Sequence, residues 1–102
     1  MGGKDRRSLL MKMGYSIFNK VRIRIAEDNS WTCAYCFKTV YLKPARPEDL
    51  ATIDHRIPVS RGGSWKRRNL TCACRFCNEE KGEMTDHEYR LYLFLIGRLR
   101  RC

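Results

Sequence analysis

The chain has 102 residues, six of them cysteine, and its 21 Lys plus Arg outweigh 11 Asp plus Glu to give a formal net charge of +10. That length fits one domain, small enough that a staple such as a bound metal would help it hold together. The charge calls for a polyanionic partner, and a membrane-spanning segment is excluded, because the longest apolar run, Leu91 to Ile96, is far below the ~20 residues needed.

In chain order, residues 1–13 are basic and glycine-containing and are expected to form a flexible N-terminus; residues 14–102 are expected to form a single domain with its core at 31–82. Lys12 interrupts the first apolar stretch, which makes a poor secretory signal and points to the cytoplasm. Between Tyr15 and Asp28 two readings compete. VRIRI alternates like a strand, whereas Ile17, Phe18, Val21, Ile25 and Ala26 suit one helical face, and a helix ending at Asp28-Asn29 is the favoured reading. Cys33 to Cys36 reads as a tight turn, Thr39 to Leu42 as a short strand, and Lys43 to Asp49 as a loop held by Pro44 and Pro47. A strand is predicted from Ala51 to Ile57, a glycine turn from Ser60 to Ser64, and a returning strand from Leu70 to Ala73. A short helix follows from Cys77 to about Lys81. The last helix should start at Thr85, where Thr85 and Glu88 form a capping-box pattern and Asp86 suits the helix dipole. It should run to about Arg100, with Arg98, Arg100 and Arg101 at its C-terminal end. Its middle, LYLFLI, is apolar nearly all round, which implies burial or a partner.

Cys33-x-x-Cys36 and Cys74-x-x-Cys77 are two knuckles able to supply four thiolates to one tetrahedral structural zinc ion, Zn2+. In a reducing compartment, this spacing favours metal over disulfides. The gap between the knuckles exceeds that of a simple zinc ribbon, so something else is inserted there. Cys72 is spaced too loosely from Cys77 for a knuckle and reads as a core residue. Cys102 reads as uninvolved.

The insert carries Asp54-His55, Pro58, Gly62-Gly63 and Asn69-Leu70, and Asn78 and Lys81 follow the second knuckle. The string IDHRIPVSRGG…NL…C-x-x-CN-x-x-KG resembles the HNH endonuclease family, in the form that carries four-cysteine knuckles, over roughly Trp31 to Gly82. The resemblance implies an α+β fold built on a ββα-metal core, with helices flanking it at both ends. It implies metal-dependent hydrolysis of DNA phosphodiesters, leaving 5′-phosphate and 3′-hydroxyl ends. His55 would be the general base, as an imidazole titrating near neutrality can be. Asp54 and Asn78 would hold one divalent cation. Asn69 would be the middle Asn of the motif, tying the loop to the hairpin and holding His55 in place. Asn78 stands where many members have His, and a set of one carboxylate and one amide favours Mg2+ or Mn2+ at the catalytic position. Phe37 departs from the small residue that often follows the first knuckle. Free-standing members of this size are common in phages and mobile elements.

From Arg56 to Arg68 there are five basic residues and no acidic one: Arg56, Arg61, Lys66, Arg67 and Arg68. With Lys81, they are the expected contacts to DNA phosphates, which position a duplex without reading its sequence. Trp65 in the same loop could wedge against nucleic acid, but closing the core is the favoured reading. Lys12, Lys20, Arg22 and Arg24 would extend the footprint. His87 reads as a surface residue. Two rivals share the basic surface: a zinc-stapled DNA-binding module without catalysis, and an interaction module whose helix from Leu91 to Leu99 supports a homodimer or docks on a protein partner. The first gives no reason for Asp54, His55 and Asn78 to occur in motif order.

Overall fold

The computed structural model describes residues 17–96. The expectations for residues 1–13 and for Arg98, Arg100, Arg101 and Cys102 lie outside this range. The described chain opens with a helix, α1, over residues 17–28. Of the five apolar residues on its predicted face, Ile25 and Ala26 are buried, whereas Ile17, Phe18 and Val21 are exposed. The helix stops where Asn29 turns its own amide back, its Nδ2 donating to Ile25 O at 2.8 Å. Ser30 and Trp31 then take positive φ, which no helix can continue through.

The centre is a two-stranded antiparallel hairpin, β1 (Ala51–His55) and β2 (Leu70–Cys74), pairing Ala51 with Cys74 through His55 with Leu70. β2 is buried at all five positions. Its small residues, Thr71, Cys72, Ala73 and Cys74, suit a strand covered on both faces. β1 ends at His55, two residues before the predicted stop, because the chain turns toward Pro58 and Arg56 N bonds Asn69 O at 2.7 Å. The helix α2 (Arg75–Lys81) follows β2 directly, starting two residues earlier than expected. Cys74 caps it, its sulfur accepting the Cys77 N–H at 3.3 Å. The result is an α+β fold with a ββα unit at its heart.

Thr39 to Leu42 is not a strand. Thr39 bridges Thr32 on one side and Tyr41 bridges Leu50 on the other, so each residue finds a different partner and no ladder forms. The final helix, α3 (Asp86–Ile96), begins with the expected capping box: Glu88 N donates to Thr85 Oγ1 at 3.1 Å, and Thr85 N donates to Glu88 Oε1 at 2.8 Å. α3 is only half covered. Tyr89 is fully buried and Tyr92 and Leu93 pack partly on the core, but Leu91, Phe94 and Leu95 are exposed. No helix among the described residues is long and apolar enough to cross a membrane.

Candidate active site and metal centre

The two knuckles meet. The sulfur atoms of Cys33, Cys36, Cys74 and Cys77 all lie within 4.8 Å of one another, and all but Cys36 are buried. A tetrahedron of zinc–sulfur bonds of about 2.3 Å has edges of about 3.8 Å, and Cys36 Sγ stands 3.9 Å from Cys74 Sγ. Hydrogen bonds with the Cys74 and Cys77 thiols hold the Cys33 thiol well below its ordinary pKa, and the bond between Cys33 and Cys74 raises Cys74 in turn, so the sulfur atoms share charge as one cluster. The donor set fits a structural zinc ion. Cys72 stays out of the cluster, buried in the core, where burial pushes its thiol up to about 12.

Phe37, just after the first knuckle, adopts φ +65° with its ring exposed. Its N–H closes the turn onto Cys33 O at 3.0 Å. The backbone here therefore takes the left-handed conformation that a glycine would adopt at least cost.

The end of β1 and the face of α2 frame a cleft of about 230 Å3, whose lining includes Asp54, His55, Pro58, Asn78 and Lys81. His55 is half-buried, and its Nε2 is buried with no hydrogen-bond partner among the described residues. Burial, the largest influence, holds the imidazole below its ordinary pKa, so it is neutral and able to accept a proton at neutral pH. Asn78 stands one turn into α2, against β1. Its Nδ2 donates to Thr52 Oγ1 at 2.9 Å and to Ile53 O at 3.1 Å, leaving Oδ1 as the atom free to meet a cation.

Asp54 is buried at 3% exposure. One carboxylate oxygen forms an ion pair with Lys81 Nζ at 3.2 Å, and the other accepts a short hydrogen bond from the Tyr35 hydroxyl. Burial raises its pKa, opposed by Tyr35 and Lys81. A carboxylate has about four acceptor positions, so lone pairs remain for a metal. A hard cation fits this oxygen set if substrate and water complete its shell.

Asn69 is buried at the base of the loop between the strands. Its Oδ1 accepts from Ile57 N at 2.9 Å, and its Nδ2 donates to Ile57 O at 3.0 Å and Ser64 O at 2.8 Å. One amide thus pins both arms of the loop that leaves His55. At the tip, Gly62 has φ +91°, and a Cβ on Gly63 would lie 1.7 Å from Ile57 O, so no side chain fits there.

Lys81 is not free to meet a phosphate. It is 2% exposed, its Nζ bonded to His55 O at 2.8 Å and paired with Asp54 at 3.2 Å. Trp65 does not close the core. It is 58% exposed and sits edge-on to the His55 ring, with centroids 4.3 Å apart. Three of the loop arginines meet acids brought in from other elements: Arg56 with Asp86, Arg61 with Glu88, and Arg67 with Asp28. Lys66 and Arg68 are exposed and have no ion pair among the described residues. Arg22 of the second basic set is bonded inward, to Ala51 O and Asn19 Oδ1, and His87 is exposed. Tyr35 and Thr52 escaped the sequence reading. Neither carries a local signal, because each acts across a contact of long sequence separation.

The family described as HNH endonuclease matches residues 33–93, more than half of the chain and all of the elements that frame the cleft. The chain belongs to the HNH endonuclease family. None of the curated proteins matches it. Family membership accounts for nucleic acid as the substrate class and for the pairing of a four-cysteine cluster with a hairpin-and-helix cleft.

Proposed function

We propose that this HNH protein is a DNA endonuclease in which His55 is the general base and Asp54 and Asn78 hold one Mg2+ or Mn2+ ion. The observation that carries the reading is the cleft itself, whose lining brings together a neutral imidazole, one carboxylate and one oriented amide. The His55 imidazole takes a proton from the attacking water, which needs a neutral base. A divalent cation bound opposite would relieve charge on the scissile phosphate and its leaving oxygen. Asn69 keeps the His55 loop closed, and Lys81 holds the His55 carbonyl and the Asp54 carboxylate on one ammonium. Lys66 and Arg68 contact flanking phosphates, where exposed and unpaired cations act most freely. The four-cysteine zinc ion is structural, since four thiolates leave no open position.

The test is conversion of supercoiled plasmid by the zinc-loaded protein with no added metal, Mg2+ or Mn2+, for wild type and Asn78→Ala. The expected result is metal-dependent nicking or linearisation that Asn78→Ala greatly weakens, with 5′-phosphate ends in the product. DNA binding at low salt without cleavage under any of these conditions would instead support a non-catalytic DNA-binding module.

A further inference from the structure

Tyr35 lies between the two cysteines of the first knuckle, yet its hydroxyl serves the other metal site. It is 5% exposed, and its O–H donates to Asp54 Oδ2 across a sequence separation of 19 residues. Both ends of the side chain are fixed. Its backbone N–H donates to Cys33 Sγ at 3.4 Å, which ties the residue to the sulfur cluster. Its ring meets Tyr89 of α3 edge-on with centroids 5.0 Å apart, and the guanidinium of Arg90, on the same helix, stands 5.0 Å from the ring centroid. Packing alone would be served as well by phenylalanine. A buried tyrosine hydroxyl needs a partner, and here it has Asp54.

Asp54 needs more than a strand to aim it. β1 sets the Cα, but a carboxylate can still rotate about its final bond. Lys81 holds one oxygen and Tyr35 the other, so the plane of the group is set from two sides. Groups that hydrogen-bond a metal-ligating residue orient it and tune its affinity.

We propose that Tyr35 is the positioning residue for Asp54, so that the zinc-bound knuckle sets the geometry of the catalytic cation site as well as stapling the fold. This rests on Asp54 being a ligand of that cation, as argued under the proposed function. The zinc site and the cleft are then one mechanical unit: the knuckle backbone fixes Tyr35, and Tyr35 fixes the carboxylate.

The test is Mn2+ binding followed by electron paramagnetic resonance, on zinc-loaded protein bound to duplex DNA. A His55→Ala background keeps the duplex intact, and the duplex alone is the control. Tyr35→Phe and Asp54→Asn are each introduced into that background, with zinc content and the absorption of Co2+-substituted knuckles measured in parallel. Tyr35→Phe should weaken Mn2+ binding about tenfold or more, with one zinc per chain and an unchanged Co2+ spectrum. With His55 restored, the Mg2+ concentration for half-maximal cleavage should rise by a similar factor. Wild-type-like Mn2+ affinity in Tyr35→Phe, together with loss in Asp54→Asn, would overturn the role of Tyr35 and leave the nuclease reading standing. Mn2+ affinity unchanged in Asp54→Asn would overturn the ligand assignment beneath both. Weakened Mn2+ binding that tracks loss of zinc would also overturn the proposal, because the effect would then come from unfolding of the knuckle.

Discussion

Phe37 holds a left-handed backbone in order to close the first knuckle, and a β-carbon there costs roughly 1–2 kcal/mol relative to the right-handed region. Glycine would remove that strain but lose about 0.5–1 kcal/mol through the greater freedom of its unfolded chain. Because the ring is 72% exposed, little packing is lost with it. Phe37→Gly should therefore raise stability by up to about 1 kcal/mol, read as a higher denaturant midpoint with an unchanged slope. His55 makes the second residue-scale prediction. For the proposed base the neutral form is the working form, and burial lowers the pKa of this imidazole. A lowered pKa keeps the base unprotonated to more acidic pH, so the acid limb of kcat/KM should fall below the ordinary histidine value of about 6.5. That limb should vanish in His55→Ala, and a limb well above 6.5 would mean that another group is being titrated. At this scale Asp54, His55, Asn69 and Asn78 stand out by order and spacing, and the fold brings Asp54, His55 and Asn78 to one cleft, with Asn69 bonded to the loop that leaves His55. Tyr35 was not. Its bond to Asp54 depends on how two distant segments pack, and no short window of sequence carries that.

The loop between β1 and β2 is the element on which the proposed base depends. It has little regular structure of its own, only two single turns of 3-10 helix, and Asn69 holds it together with three hydrogen bonds. Asn69→Ala would leave the Ile57 amide and two carbonyls without that partner, at a cost of about 1–3 kcal/mol if the loop does not reseal. Circular dichroism melting should show that loss, and cleavage should fall through kcat more than through KM, because the base is displaced while the phosphate contacts persist. An Asn69→Ala enzyme with wild-type kcat would remove Asn69 from the account. The elements themselves were legible to different degrees. α2 and α3 announced themselves through the second knuckle and a capping box, and the hairpin through its glycine turn. Thr39 to Leu42 looks like a strand by composition but has no strand beside it, since its backbone groups are shared between Thr32 and Leu50. Trp65 misled for a similar reason: an aromatic residue usually closes a core, but β2 is already covered and the ring turns out over His55.

At the scale of the whole molecule, zinc and charge matter most. The core includes three of the four knuckle cysteines, so the metal site is part of the core and not an appendage. Apparent binding energies of about 10–16 kcal/mol for such sites exceed the net stability of most small domains. Stripping the zinc should therefore collapse the fold in a single cooperative loss of helical signal, and re-adding it should restore both. The +10 charge is thinned locally by the ion pairs of Arg56, Arg61 and Arg67, which leaves Lys66 and Arg68 as the freer cations of the loop. Replacing either by Ala should lower the slope of log affinity against log salt by about 1, an effect that loop sequence alone would have assigned equally to all five. The central claim, that His55 is the base of a metal-dependent nuclease, is tested most directly by single-turnover cleavage of duplex DNA in Mg2+ by wild type and His55→Ala, both with full zinc content and matched melting curves. The account predicts a loss of at least about a hundredfold in the mutant with duplex affinity retained. Equal rates in the two proteins would contradict it.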